Sequence, residues 1–335
     1  MPRRAVTAAW IAVLLCASVA AAETTLVVPA SGGAGDFRVV RWTTAEGLPQ
    51  NTVTDVVDLA GGELWLATFG GLARFDGQAF RVLDMAADEG LPANRIVKLE
   101  AVGPGSFLFL TQQGHLGRVE GGRAALLVPP PLPSLEALDL VVDRAGRAYC
   151  RAADGRVWRT DGRGGWHNVV DARGGQGALH ALALDESGEV WAAWGRRLLR
   201  LSGDARGADV ALPGANVALA PRAGGGLWIG LVRGVARLVD GRLDRLSIRP
   251  DLEEKVHAIA PVSGDVLWLA TESGLSRIDR QADGTWRRAS LPLPLSPTVS
   301  VRSLHLDRHG GLWVGTVGDG LLRINRLPTR RFGAE

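Results

Sequence analysis

The chain has 335 residues, 46% hydrophobic and 22% charged, with 44 glycines, 17 prolines and 11 tryptophans beside a single tyrosine. That length buries a large core, and so many turn formers with so many tryptophans favour short strands over long helices. The formal charge of +3 becomes +1 once Arg3 and Arg4 are assigned to a leader segment, and no Lys/Arg run exceeds three residues, which argues against a nucleic-acid partner.

Arg3 and Arg4 precede an uncharged stretch over residues 5–22 whose most apolar part is WIAVLLC, and the small residues AAA stand just before Glu23. This is the pattern of a secretory signal peptide over residues 1–22, followed by a linker over 23–36. An uncleaved anchor is the other reading, because 18 uncharged residues just span a bilayer; the small-residue ending favours cleavage. The mature chain is then periplasmic or secreted and keeps no stable membrane span. Cys150 becomes its only cysteine, so an internal disulfide and a cysteine metal site are excluded. The alternating RAYCRA around Cys150 places it as a buried structural thiol.

From residue 37 the chain repeats itself. GELWLATFGGLARFDG at 62–77 returns as GLWIGLVRGVARLVDG at 226–241, VLWLATESGLSRIDR at 266–280 and GLWVGTVGDGLLRINR at 311–326. EVWAAWGRRLLRLSG at 189–203 is a shortened copy, and FLFLTQQGHLGRVEGG at 107–122 and RAYCRAADGRVWRTDG at 147–162 are weaker ones. Alignment puts Trp65, Phe109, Tyr149, Trp191, Trp228, Trp268 and Trp313 at one position, giving seven copies of about 41 residues. In the first copy VTDVVDL, LWLAT, LARFD and AFRVLD read as strands a to d. Gly70-Gly71 turns b into c and Asp76-Gly77 turns c into d. Two copies read Asp-x-x-Gly-x-x-Trp between a and b, at Asp185, Gly188, Trp191 and at Asp307, Gly310, Trp313. There a short aspartate bonds the turn and the aromatic packs between sheets.

A four-stranded sheet of about 40 residues cannot bury both faces alone, but seven arranged radially do. The predicted fold is therefore all-β: a seven-bladed β-propeller over residues 37–335. DFRVVRW at 36–42 matches the strand d pattern and is expected to close the last blade from the N-terminal side. The proline-rich stretches at 129–133 and 291–297 read as stiff connections between blades.

Residues 43–80, TTAEGLPQNTVTDVVDLAGGELWLATFGGLARFDGQAF, closely resemble the two-component regulator propeller repeat: Gly47, Leu48, Pro49 and Asn51 fill its loop, and Gly90, Leu91, Pro92 and Asn94 fill it again. The resemblance extends over residues 37–335 and is strongest in copies one, six and seven. It implies a periplasmic ligand-binding sensor propeller of the kind that precedes a histidine kinase or diguanylate cyclase. The chain departs from that pattern in carrying no second apolar span, kinase box or cyclase motif. TRRFGAE at 329–335 aligns with VRWTTAE at 40–46, as if a further repeat were about to begin, so a truncated form lacking transmembrane and output domains is expected; a complete secreted propeller is the alternative.

In propellers generally, ligands meet the loops leading into strand a and the b–c loops. Aligned with Val53, His180, His257 and Arg302 are expected near the channel mouth, either as a site for an anionic or sugar-like ligand or as solvated channel positions. The b–c loops add Phe69, Gln112, Gln113, Trp194, Arg233, Glu272 and Asp319, with Trp194 expected as a rim aromatic. Gln50, Asn51, Asn94 and Arg95 are expected to hold their own turns. No catalytic residues, metal site or cofactor are expected: Gly-x-Ser-x-Gly, His-Glu-x-x-His and phosphate-loop patterns are missing, and the His305/His309 pair straddles a strand and a turn. The expected partner is a small carbohydrate-like or anionic molecule, with a periplasmic or inner-membrane signalling protein as a second. LWLATESGLSRID also loosely resembles the streptogramin lyase repeat, which keeps a secreted lyase or hydrolase as an alternative; a protein-docking platform is another.

Overall fold

Strand b carries the most apolar residues of each repeat, and in blades 1, 4, 5 and 7 all five of its residues are buried. A strand buried on both faces must be central in its own sheet and flanked by two others, which is what radial packing provides. The computed structural model describes residues 24–30, 36–60, 62–86, 88–130, 137–161, 164–171, 179–202, 205–295 and 300–327. It folds into seven sheets around a central channel, antiparallel except for the two-residue strand Ile248–Arg249, which pairs in parallel with the outer strand Trp286–Leu291 of blade 6. Blade 1 runs outward through Val53–Asp58, Leu64–Thr68, Gly71–Phe75 and Phe80–Leu83, the four strands read from the sequence. Gly71, at φ 121°, makes the b–c turn, and a Cβ there would lie 2.7 Å from the Leu83 carbonyl oxygen.

The ring closes as expected. Asp36–Trp42 pairs with Leu321–Arg326 from Phe37 opposite Arg326 to Trp42 opposite Leu321, and so supplies the fourth strand of blade 7. The Arg41 Nε donates to the Asp319 carbonyl at 2.9 Å, and its guanidinium meets the Asp319 carboxylate at 3.1 Å. Trp42 stacks on Trp313 at 5.5 Å. One expectation needs correction: within the segment read as a linker, Thr24–Pro29 forms a fifth strand on the outer edge of blade 7. Val28, 8% exposed, fixes it to the core, and its extended, β-branched sequence completes an edge that Asp36–Trp42 would otherwise leave open. The signal peptide over residues 1–22 lies outside the described residues, as do the proline-rich positions 131–133 and 296–297.

Each blade fastens to the next through the aromatic position. Trp65, Tyr149, Trp191, Trp228, Trp268 and Trp313 are all under 8% exposed and sit in clusters shared with the following blade. Directly across the sheet each faces an arginine of strand c; Arg323 lies over Trp313 at 5.0 Å and Arg277 over Trp268 at 5.9 Å. The Asp turn also binds the aromatic's polar end: Trp313 Nε1 donates to Asp307 at 3.0 Å, Trp191 Nε1 to Asp185 at 2.8 Å, and Tyr149 to Asp143 at 3.4 Å. Blade 2 departs from the alignment. Strand pairing puts Leu108, not Phe109, in the aromatic column, since Leu108 faces Glu100 as Trp65 faces Val57. Phe109 turns to the other face and covers Gly117, where a Cβ would lie 2.1 Å from its ring.

Candidate ligand site at the channel mouth

Every inner strand carries the same irregularity. The pairing of strand a with strand b slips by one residue between Val53 and Asp55, Ile96 and Lys98, Ala137 and Asp139, Leu179 and Ala181, Asn216 and Ala218, Val256 and Ala258, and Val301 and Ser303. Each slip is a β-bulge, which inserts one unpaired residue and re-aims its neighbours. The inserted residues include Thr54, Val97, Leu138, His180, His257 and Arg302. The bulge therefore corrects the sequence alignment by one position: His180, His257 and Arg302 correspond to Thr54, while Leu179, Val256 and Val301 correspond to the buried Val53.

The ring of bulges surrounds a cavity of about 400 Å³ at the channel mouth, lined among others by Asp55, Lys98, Asp139, Arg151, His180, Lys255, His257 and Arg302. Three residues expected from sequence, His180, His257 and Arg302, meet there. The cavity presents four fixed cations against two carboxylates, and both carboxylates are already engaged. Asp55 accepts from the Leu99 N–H of blade 2 at 3.0 Å and pairs with Lys98 at 3.1 Å. Asp139 accepts from the Leu182 N–H of blade 4 at 2.8 Å. These acids staple neighbouring bulges together. Arg151 donates to the Leu179 carbonyl at 2.9 Å. Among the described residues Lys255 and Arg302 have neither a hydrogen-bond nor an ion-pair partner, so their charge is open to the cavity.

The electrostatics follow from that surplus. Burial lowers the His180 pKa, helped by Arg151 and Lys255. Burial also lowers that of His257, helped by Lys255 and Arg302 against the pull of Glu272 and Glu254. Both imidazoles are therefore neutral at pH 7 while the cations around them are not. Burial works against the Lys98 ammonium, but Asp55, Asp139 and Glu100 outweigh it and raise its pKa. Two residues farther along the same strand, burial pushes the Glu100 carboxyl up to about 7.

The remaining expected site residues stand outside the cavity lining. Phe69 is covered by the Arg95 guanidinium at 4.6 Å, and Arg95 donates to Gln112 at 3.2 Å, which ties two of them into one cluster on the rim of blades 1 and 2. Arg233 is exposed and 4.0 Å from Glu253. Glu272 is exposed near His257. Trp194 is not a rim aromatic: it ends strand b opposite Leu179, is 9% exposed and packs into the core shared by blades 3 and 4. The b–c turn there consists of Gly195 and Arg196, two residues as in blade 1, and Trp194 takes the position that Thr68 and Thr316 hold elsewhere. Asn51 and Asn94 hold their turns as expected, accepting from the Thr44 and Met85 N–H groups, each at 2.8 Å. Sequence reasoning missed Lys98, Arg151, Lys255 and the two aspartates. A column drawn through the bulge and the residue after it would have collected Lys98, Asp55 and Asp139.

The family described as two component regulator propeller matches residues 294–318, the approach to blade 7 with its strands a and b, Arg302 included. No curated protein sequence matches the chain. Similar solved structures include a streptogramin B lyase, at 15% identity and TM-score 0.73 over 87% of this chain and 98% of that one. The extracellular domain of the putative hybrid two component system BT3049 from B. thetaiotaomicron aligns at 18% identity and TM-score 0.68, over 87% of this chain and 42% of that one. YCF48 from Cyanidioschyzon merolae aligns at 17% identity and TM-score 0.62, over 83% and 97%. At these identities the shared property is the propeller itself.

Proposed function

We propose that the chain is a non-catalytic, extracytoplasmic sensor propeller that receives a small anionic ligand, such as a sugar acid, at the channel mouth. The observation that carries this reading is the cavity of about 400 Å³ in which Lys255 and Arg302 have no partner among the described residues while Asp55 and Asp139 are engaged by neighbouring blades. A guanidinium grips a carboxylate with two parallel hydrogen bonds, and an ammonium beside it adds a point charge. The two-component regulator propeller repeat in blade 7 and the likeness to an extracellular two-component domain support the signalling role. Signal transfer then requires a periplasmic or inner-membrane partner. Phe69, Gln112, Arg233 and Glu272 form the outer rim on which a larger ligand extends.

The test is calorimetric titration with D-galacturonate, succinate and phosphate, with glucose as the neutral control. At least one anion is expected to bind, and the double variant Lys255→Ala/Arg302→Ala to bind it at least roughly tenfold more weakly, as for loss of a charge-assisted contact. Anion binding unchanged in that variant refutes the site. Sustained conversion of a bound compound by purified protein refutes the non-catalytic role.

A further inference from the structure

Between blades 2 and 3 the aromatic ladder is interrupted. Six of the seven blades put a ring into the interface with the next blade; blade 2 puts Leu108 there. A cleft of about 660 Å³ opens beside it, within the size range of small-molecule sites. Its floor is Leu108, Leu116 and Val142, and one wall is the Trp166 indole, fixed by donating from Nε1 to the Val128 carbonyl at 2.9 Å. The arginine of the ladder is still present. Arg118 lines the cleft where Arg323 and Arg277 cover rings, and its Nε is buried without a hydrogen-bond partner, as is that of Arg323 over its ring. Its remaining contacts are Ser106 at 3.2 Å and the exposed Glu120 at 3.4 Å. Asp143, the one carboxylate in the lining, is 7% exposed and consumed by Arg147 and the backbone of its own turn. Among the described residues the cleft thus has an apolar floor, an aromatic wall, a ladder arginine with no ring beneath it and no free negative charge.

We propose that this cleft is a second binding site, which takes the ring of a small aromatic acid at the place where the other blades insert their own tryptophan or tyrosine. The ring stacks against Trp166 and covers Arg118, and the acid group faces the guanidinium. This site is separate from the channel mouth and does not depend on it.

Indole-3-acetate is the probe, titrated by calorimetry beside indole and acetate. Indole-3-acetate is expected to bind and acetate not to. Leu108→Trp fills the cleft and is expected to weaken the probe roughly tenfold or more while leaving the melting temperature unchanged or higher, as a restored aromatic contact would. Arg118→Met is expected to weaken indole-3-acetate about threefold and to leave indole unaffected, as for a half-exposed ion pair. Lys255→Ala/Arg302→Ala is expected to leave the probe's affinity unchanged, which separates this site from the channel mouth. Should Leu108→Trp fail to fold, Trp166→Ala carries the test, with the same roughly tenfold loss expected from removing the stacking wall. Absence of binding to the folded wild-type protein, or wild-type affinity in Leu108→Trp or Trp166→Ala, overturns the proposal.

Discussion

Replacing Trp42 with alanine tests whether the N-terminal strand is what holds the ring shut. Trp42 is 4% exposed; its ring lies 5.5 Å from that of Trp313 at an interplanar angle of 25°, and 5.2 Å from that of Phe75 at 63°. It thereby joins the end of the chain's closing strand to blade 7 and blade 1 at once. Truncating a buried tryptophan to alanine costs about 3–5 kcal/mol. Unfolding entropy near 2.1 cal/mol/K per residue gives about 0.6 kcal/mol/K for a propeller of roughly 300 residues, so the melting temperature falls by about 5–8 °C. The loss is local before it is global. Hydrogen exchange is expected to quicken first in Asp36–Trp42 and Leu321–Arg326, while blades 3 and 4, far from the clasp, keep wild-type protection. Thermal scanning and exchange mass spectrometry read both effects. A shift below about 1 °C, or exchange that rises equally in all blades, would mean that the clasp does not govern closure.

Gly117→Ala places a methyl 2.1 Å from the Phe109 ring and is expected to cost about 1–3 kcal/mol by overpacking, measured by denaturant titration. Asp307 holds its turn, the Trp313 N–H and Arg323 at 2.8 Å, and its hydrogen bonds and Arg323 keep its carboxyl below the usual range despite burial. Its contribution is complete above the unfolded value near 3.8 and declines as pH falls from there through the folded one, so Asp307→Asn should destabilise the protein at pH 7 by about 1–3 kcal/mol and by progressively less as pH falls below 3.8. Because the His180 and His257 pKa values lie below 6.5, an anion bound beside them favours their protonation; its affinity should rise as pH falls from 7 to about 5, and a flat calorimetric profile contradicts this. Burial pushes the Cys150 thiol up to about 12, so a thiol reagent should label it only after denaturation, and rapid labelling of the native protein at pH 8 would contradict the packing.

The architecture was legible because its determinants recur. A tryptophan, a glycine turn and an arginine strand that return every 41 residues or so overdetermine the blade, and Asp36–Trp42 matches the outer strand closely enough to show where the ring closes. The errors came where one residue is added or lost. A bulge shifts no motif on either side of it, so Val53 and Thr54 are indistinguishable by spacing although one is buried and the other inserted. In FLFL, phenylalanine and leucine alternate, and only pairing with Glu100 reveals which of them faces blade 3. Trp194 read as a loop residue although its two-residue turn, Gly195 and Arg196, is as long as that of blade 1, and an ungapped alignment sets it opposite the strand residue Thr68. The charges at the mouth were obscured for the opposite reason: the column after the bulge reads Asp55, Lys98 and Asp139 and then turns to alanine and serine, and Arg151 stands on strand b where blade 1 has Ala67, so only Asp55 and Asp139 repeat.

The seven bulges have a consequence for how such a molecule changes over time. Pairing between strands a and b resumes immediately after each inserted residue, so the ladder does not depend on the inserted side chain, although Thr54 also donates to the Ile96 carbonyl of blade 2 at 2.7 Å and Val97 packs against the core between blades 2 and 3. Threonine, valine, leucine, histidine and arginine all occupy that place in this one chain. The rim of the channel is thus a row of differing side chains set in a repeated backbone frame. A new chemical preference can be written there one blade at a time, without first solving the problem of folding again.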